Sequence, residues 1–325
     1  MRILIIKTTS LGDVVHCLPI IADIKQHFPN ALIDWVVEDH FVDILKLHPH
    51  INNIITVAIR RWRKAIFSSK TWHAFNTFKQ QLQAQPYDVV IDAQGLFKSG
   101  LMTYLSHSQN KCGYDKTSAR ESWASGFYDS KFNINYQQHA VTRNRTLAAL
   151  SLDFRPPNNA PDYGIQASPK LDATLNLTQP FIIALHGTSR DSKLWLTEHW
   201  VSLGQQLATH KIQLVLPWAS GAEHQRAKLI ASQLSNAVVL PKLSITALAS
   251  VISQSLAALG VDTGLSHLAA ALNKHVVAIY TDTNPALTGV MAGALACVNL
   301  GGQNQQPSPQ EVMRQLSTFG LFNHA

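Results

Sequence analysis

Long hydrophobic runs are missing from this chain. None of its apolar stretches approaches the ~20 residues that cross a bilayer. The opening Met1-Arg2-Ile3-Leu4-Ile5-Ile6-Lys7 is too short for a secretory signal and reads as a strand. These absences point to a soluble, cytoplasmic chain that can still touch a membrane surface. Cysteine is scarce: Cys17, Cys112 and Cys297 are scattered, with neither metal spacing nor a disulfide framework, which suits a reducing compartment. No two acidic residues are separated by a single residue, so the short acidic motif that holds a metal on a nucleotide is absent. The G-x-x-x-x-G-K-[ST] loop and the G-x-G-x-x-G fingerprint are also missing, which argues against kinase, ATPase and dehydrogenase chemistry. Acids are the minority charge, with 20 Asp and Glu against 27 Lys and Arg, a net +7. That balance favours an anionic partner, whether nucleic acid, a phosphorylated lipid surface or a phosphate-bearing substrate; solubility alone explains it about as well.

What is present is a repeated alternation of strands and helices. At 325 residues and 46% hydrophobic content the chain has material for two cores. Strands are expected at residues 3–7, 32–37, 53–58 and 89–92, with helices at 41–47 and 65–83. Pro19 is awkward inside a helix, so residues 12–17 are read as a turn with the helix starting beside Pro19. Prolines crowd residues 155–180, which read as an interdomain linker. The alternation restarts with strands at 181–185, 212–216, 238–240, 256–261 and 275–280. Helices are expected at 197–209, where Thr197 reads as an N-cap, and at 222–234, 244–254, 266–272 and 309–319. The expected organisation is an N-terminal domain at 1–155, a linker at 156–180, a second domain at 181–308 and a C-terminal helix with tail at 309–325. Each domain is α/β, a parallel sheet covered on both faces, with ligands beyond the carboxyl ends of its strands. Two such domains facing each other place the site in the cleft between them.

Five constellations carry chemistry in that frame. Thr8-Thr9-Ser10-Leu11-Gly12-Asp13 follows the first strand; Gly12 permits close approach of a ligand, and Asp13 is either a helix cap or a general base. Arg60-Arg61-Trp62-Arg63-Lys64 is a solvated charge run, a nucleic-acid patch or a clamp for carboxylates and phosphates; the lack of a nucleic-acid motif lowers the second option. Lys98, Arg120, Arg143 and Arg145 are further cations in the same half. His186-Gly187-Thr188-Ser189-Arg190 with Lys193 is a polar turn whose hydroxyls, N–H groups and cation can meet a departing diphosphate, although a loop lysine is often only a surface lysine. Trp218 can stack on or wall a base, while Glu223 accepts ribose hydroxyls or simply answers the helix dipole. Val261-Asp262-Thr263-Gly264-Leu265-Ser266-His267 reads as strand end, polar turn and helix start, a place for phosphate; the same residues also read as an N-cap with His267 packed beneath.

These residues resemble the heptosyltransferase family of GT-B glycosyltransferases over nearly the whole length. The resemblance rests on Lys7-Thr8-Thr9-Ser10-Leu11-Gly12-Asp13-Val14, on the run from Val57 to Lys64, on Val90-Ile91-Asp92-Ala93-Gln94-Gly95-Leu96, on Ala119-Arg120-Glu121, on Lys193 with Trp195, and on the stretch from Val261 to Leu268. The Arg-Arg-Trp-Arg-Lys run is particular to the branch that adds the first heptose. The resemblance implies two Rossmann-like doubly wound domains facing a central cleft. It implies inverting transfer of L-glycero-D-manno-heptose from ADP-heptose to Kdo of Kdo-lipid A in lipopolysaccharide inner-core synthesis. It further implies no metal or other cofactor, no nucleic acid, and a peripheral place on the anionic cytoplasmic face of the inner membrane, with domain closure in the cycle. Asp13 is then the general base and Lys193 neutralises the diphosphate. Asp262 holds donor sugar hydroxyls, Thr263 and Gly264 meet the phosphates, Glu223 holds the ribose and His267 supports the pocket. Thr188, Ser189, Trp218 and Leu265 complete the donor set. Arg60, Arg61, Arg63, Lys64 and Arg120 grip the acceptor's anionic groups, with Thr9, Ser10 and Gly12 beside them. Two departures stand out: Thr9 replaces a frequent Ser, and Thr281-Asp282-Thr283-Asn284-Pro285 replaces Gly-Pro-Thr-Asp-Pro in a loop bordering the donor. A heptosyltransferase adding the second or a later heptose, and a non-catalytic anion-binding protein, remain as alternatives.

Overall fold

β-Branched and aliphatic residues dominate the first strand, β1 (Arg2–Ile6), and from Ile3 onward it is fully buried, as a strand covered on both faces must be. Around it the chain, a computed structural model that describes residues 1–170, 175, 177 and 180–322, builds two units, Met1–Gly164 and Ile165–Ala325. The division falls inside the stretch read as a linker. Part of that stretch belongs to the first unit, where Arg145 donates to the Asn159 carbonyl at 2.7 Å. Residues 171–174, 176, 178 and 179 of the expected linker, and 323–325 of the expected tail, lie outside the described residues.

In the first unit β1 is followed by helices α1 (Leu11–Cys17) and α2 (Pro19–His27), then β2 (Leu32–Glu38), α3 (Val42–Leu45), β3 (Ile51–Val57), α4 (Ile59–Trp62) and α5 (Ser69–Gln83). Strand β4 (Val89–Asp92), α6 (Phe97–Leu105), β5 (Lys111–Tyr114), β6 (Ser130–Phe132) and α7 (Ala140–Ser151) complete it. The sheet is wholly parallel, in the order β3-β2-β1-β4-β5-β6. Phe78 and Leu82 of α5 and Met102 of α6 close one face over Leu4, Ile6, Val36 and Val90. On the other side α7 packs on α1 and α2, and Arg145 forms a buried two-pronged ion pair with Asp23, its Nε and Nη2 each donating at 2.8 Å.

Two expectations need correction here. Residues 12–17 are not a turn: they are helical, and Leu18 stays in the right-handed region so that α2 begins at Pro19. Pro19 sits at the first helical position, where a missing N–H costs nothing, so the proline joins two helices instead of delaying one. The helix expected from residue 65 starts at Ser69, and the basic run before it forms the short α4.

The second unit repeats the plan: β7 (Phe181–Leu185), α8 (Thr197–Thr209), β8 (Gln213–Leu216), α9 (Gly221–Ala231), β9 (Ala237–Val239), α10 (Ile245–Gln254) and β10 (Ala257–Val261). Then come α11 (Gly264–Ala271), β11 (His275–Tyr280), β12 (Cys297–Gly301) and α12 (Pro309–Thr318). Its parallel sheet runs β12-β11-β10-β7-β8-β9. Each sheet thus places its first strand beside its fourth, where the winding reverses direction and ligand crevices form in such folds. Thr197 is not the cap of α8: Leu196 holds that position and Thr197 is the first helical residue. Helix α11 starts two residues earlier than expected, with Thr263 at its N-cap. Gly260 lets α11 lie against β10, because a Cβ there would run into the Ser266 hydroxyl and sit 3.1 Å from the Leu185 Cβ.

Candidate functional site

In the first unit the loops after β1 and β4 are locked together. The Gln94 side-chain oxygen accepts from the Thr8 N–H at 2.9 Å and the Thr9 N–H at 3.1 Å, and buried Lys7 donates to the Ala93 carbonyl at 2.7 Å. Asp92, at the end of β4, is fully buried. Its carboxylate accepts from the Gln94 and Gly95 N–H groups and from the Tyr128 hydroxyl. Burial pushes the Asp92 carboxyl up, and these bonds pull the other way. Gly95, with φ of +65°, adopts a left-handed conformation that glycine takes without strain, and its carbonyl accepts from the Glu121 N–H at 3.0 Å. That bond fixes exposed Arg120 beside the same loops.

Asp13 lies in the first turn of α1, where its Oδ2 accepts from the Ser10 N–H at 2.9 Å and the Ser10 hydroxyl at 3.1 Å. The capping role is therefore real, and half-buried Asp13 performs it with one oxygen only. Gly12 is buried at the same turn. Arg60 is tied to the end of β2, its N–H donating to Glu38 Oε1 at 3.4 Å, and burial pushes the Glu38 carboxyl up. Arg61 reaches Asp39 at 3.3 Å, an exposed pair of little energetic weight. Arg63 and Lys64 are exposed. Lys98 has its pKa lowered chiefly by burial, with Glu38 opposing and Arg60 adding to the effect, so α6 begins next to the basic run. Two candidate cations drop out. Arg145 is consumed by Asp23, and Arg143 donates to the Ser118 carbonyl with its guanidinium over Tyr136 at 4.2 Å.

The second unit gathers its candidates at the ends of β7 and β10. Lys193 and Asp262 form an ion pair at 2.6 Å, both largely shielded from solvent. The same Asp262 oxygen accepts from the Thr283 hydroxyl at 2.6 Å, and the Thr188 hydroxyl donates to the Asp262 carbonyl at 2.9 Å. Three chain segments, the loop after β7, the end of β10 and the loop at Thr283, thus meet at Asp262. Thr263 gives α11 no side-chain cap, so the first-turn N–H groups of Gly264 and Leu265 stand beside this cluster with the positive end of the helix dipole. His267 is buried one turn further on, and Ser189 is exposed at the turn after β7.

Glu223 and Trp218 are partly committed to structure. Glu223 Oε2 accepts from the Ala219 N–H at 2.7 Å and the Ser220 N–H at 3.3 Å, completing a capping box on α9 with its chain against Gly187. Trp218 donates to the Leu240 carbonyl at 2.7 Å and stacks on His224 with centroids 4.0 Å apart, so one ring face is covered.

Sequence reasoning missed Thr283 as a partner of Asp262, and also the role of its loop. Ser192 donates to Asp282 at 2.7 Å and Thr281 donates to the Ser192 carbonyl at 2.8 Å, tying the loop to the turn Asp191–Lys193. The only signal was the departure of residues 281–285 from the family pattern. Among the described residues no group of three or more His, Cys, Asp or Glu is placed to hold a metal.

Comparison with known proteins places these features. The profile of glycosyltransferase family 9 (heptosyltransferase) matches residues 75–317. Lipopolysaccharide heptosyltransferase 1 of Pseudomonas aeruginosa is 42% identical over 289 residues, spanning 89% of this chain and 81% of that one. The structure of E. coli heptosyltransferase WaaC with ADP superposes with a TM-score of 0.90 at 40% identity, covering 98% of this chain and 100% of that one. WaaC with ADP-2-deoxy-2-fluoro heptose gives 0.87 at 40% identity over 98% and 99%.

Proposed function

This chain belongs to glycosyltransferase family 9, the heptosyltransferases, and from that premise we propose that it moves a heptose from ADP-heptose to Kdo of Kdo-lipid A, with inversion. It is an enzyme of GT-B type that acts in lipopolysaccharide inner-core synthesis. The observation that carries the reading is the cluster of Lys193, Asp262 and Thr283 at the uncapped start of α11. A cation, a helix N-terminus and an oxygen-rich turn together suit a sugar bound through a diphosphate. That WaaC is described with ADP and with a fluorinated ADP-heptose supports the donor.

In the proposed step the acceptor oxygen attacks the anomeric carbon while the bond from that carbon to the phosphate oxygen breaks. The acceptor proton passes to the Asp13 carboxylate, and the electron pair leaves on ADP. Ser10, donating twice to Asp13, fixes the direction in which that carboxylate accepts. Lys193 and the N–H groups of Gly264 and Leu265 stabilise the charge gathering on the diphosphate, without a divalent cation. Asp262 and Thr283 orient sugar hydroxyls, with Thr188, Ser189 and Thr263 at the phosphates, His267 under the pocket, and Glu223 with Trp218 at the nucleoside. On the acceptor side Arg60, Arg61, Arg63, Lys64 and Arg120 meet carboxylates and phosphates, and Thr9, Ser10 and Gly12 line the approach. An acceptor carried in an anionic leaflet accounts for the chain's positive balance.

The test mixes ADP-heptose with heptose-free Kdo-lipid A in the presence of EDTA. ADP release together with a product one heptose heavier is expected. Turnover that stops when divalent ions are chelated removes the metal-free step. Turnover only on an already heptosylated acceptor moves the chain to a later position in core assembly.

A further inference from the structure

Beside the cations assigned to the acceptor, the first unit carries an apolar tip that the proposed transfer step does not use. From Asp43 to Asp88 the chain contains no acidic residue, while Lys46, Arg60, Arg61, Arg63, Lys64, Lys70 and Lys79 fall between them. At the middle of this acid-free stretch, between α4 and α5, Ile66 is 51% exposed and Phe67 is 94% exposed, with Trp72 in the first turn of α5 at 59%. The segment that carries them is a run of hydrogen-bonded turns, the Ala65 N–H donating to the Trp62 carbonyl and the Ser68 N–H to the Ala65 carbonyl, each at 3.1 Å. The Trp72 ring packs edge-on against Phe75 at 6.2 Å, Phe75 against Trp62 at 6.0 Å, and Trp62 against buried Phe78 at 5.9 Å. An aromatic ladder therefore connects the exposed tip to the core of the unit.

Scattered exposed hydrophobics need no account, but three within seven residues, flanked in sequence by Arg63, Lys64 and Lys70 in a stretch without acids, do. The chemistry that satisfies both halves at once is a bilayer with an anionic headgroup layer. Its phosphates answer Arg63, Lys64 and Lys70, and its acyl boundary takes up the apolar tip. Tryptophan suits the boundary between them, with a large apolar ring and one N–H. An oligonucleotide would answer the cations and stack on Trp72 and Phe67, but it has no use for Ile66.

We propose that residues 63–72 dock the first unit on an anionic lipid surface, with Ile66, Phe67 and Trp72 entering the headgroup region. The lipid-borne acceptor of the proposed function gives the docking its purpose, and to that extent the two readings are linked. Among the described residues no helix is long and apolar enough to cross a membrane, so attachment through this tip is peripheral.

The full chain is sedimented with vesicles of phosphatidylglycerol and phosphatidylethanolamine that contain no acceptor. Wild type is expected to bind, and to keep part of its binding at about 0.5 M salt, where surface charge attraction is screened. Phe67→Ser, and Ile66→Ser combined with Phe67→Ser, remove exposed side chains and leave every charge in place. They are expected to bind about tenfold more weakly and to lose the salt-resistant part. Heptose transfer by these variants to a deacylated, water-soluble Kdo acceptor is expected to match wild type, while transfer to acceptor embedded in vesicles falls. Variants that sediment like wild type overturn the proposal, as does wild-type binding that salt removes completely. An oligonucleotide that displaces the vesicles and whose binding depends on Phe67 also overturns it. If wild type transfers heptose to neither acceptor, the proposed function fails while the vesicle result stands or falls by itself.

Discussion

The two units wind six strands in the same order and yet end their fourth strands differently. In the first, the acid is the last strand residue: Asp92 pairs in register with Ile6, and its own loop, with Tyr128, uses up the carboxylate. In the second, the acid comes one residue past the strand. Asp262 thereby leaves the sheet, stays partly open and collects Lys193 and Thr283 from two other loops. The helix starts beside these strand ends differ too. Asp13 caps α1 and Ser99 bonds back to the start of α6, whereas α11 begins with no side-chain cap. A shift of one residue at the strand end separates a carboxylate that braces its own loop from one that gathers partners from other loops.

The surfaces diverge as well. Every exposed aromatic side chain among the described residues belongs to the first unit, while the exposed large hydrophobics of the second are leucines. Most of the positive excess also lies in the first unit. Under the proposed function, this difference matches a first unit that meets a large anionic acceptor and a second that holds the smaller donor.

The sharpest way to break this contrast is to remove one charged group from each unit. Asp13→Ala is expected to lower kcat by about 10²–10⁴-fold, the usual worth of a positioned base, with ADP-heptose affinity by calorimetry unchanged. Lys193→Ala is expected to weaken donor affinity and turnover together. If Asp13→Ala weakened donor binding, or Lys193→Ala left it intact, the assignment of acceptor chemistry to one unit and donor chemistry to the other would be wrong.

Much of this layout is legible in the residues. The buried strands at 181–185 and 275–280 are legible to the residue, because continuous aliphatic runs bounded by polar turns admit little else. Short elements escaped: β5, β6 and β12 lack a periodic pattern, α6 exposes Phe97, Leu101 and Tyr104 while it buries Ser99 and Thr103, and α7 buries Asn144, Arg145 and Ser151, so polarity does not mark the buried face of either helix. Pro19 hides the helix before it: a proline reads as a break, yet this one occupies a first helical position where its missing N–H costs nothing. At the site, the residue types were readable and their pairings were not. Nothing in the spacing of Lys193, Asp262 and Thr283 says that one oxygen takes both donors, because that contact is made by the sheet order. Likewise Arg145 and Arg120 look alike in sequence, and only the fold buries one against Asp23.

A second comparison uses pH. Among the described residues each unit buries two histidines, His16 and His48 in the first and His186 and His267 in the second, and the comparison is between His48 and His186. Burial pushes both imidazoles down to about 4, with His50 adding to the effect on His48 and Arg226 on His186. The unfolded chain takes up these protons near 6.5 and the folded chain only near 4. Stability is therefore complete above the unfolded value and is lost as the pH falls between the two, by about 1.4 kcal/mol per pH unit for each histidine. Urea unfolding followed from pH 7.5 to pH 5 should show this slope, and His186→Gln should reduce it relative to wild type. An unchanged slope would mean that His186 is not neutral in the folded second unit.

The smallest effect is expected where this chain departs from its family's pattern. Thr281 and Asp282 stand where that pattern has Gly and Pro, neither of which carries a side-chain oxygen. Here those two side chains bond to Ser192, next to Lys193. They hold the lysine's turn, while Asp262 holds the lysine itself. Losing one exposed hydrogen bond is worth about 1 kcal/mol, so Asp282→Ala should raise the KM for ADP-heptose about threefold to tenfold at most. Because the Lys193–Asp262 pair survives the substitution, kcat should change less than KM. Initial rates at varied donor concentration separate the two constants. A fall in kcat as large as that of Lys193→Ala would mean that the loop, and not Asp262, sets the position of the lysine during transfer. The second unit would then owe its donor site to a contact that the first unit's plan does not contain.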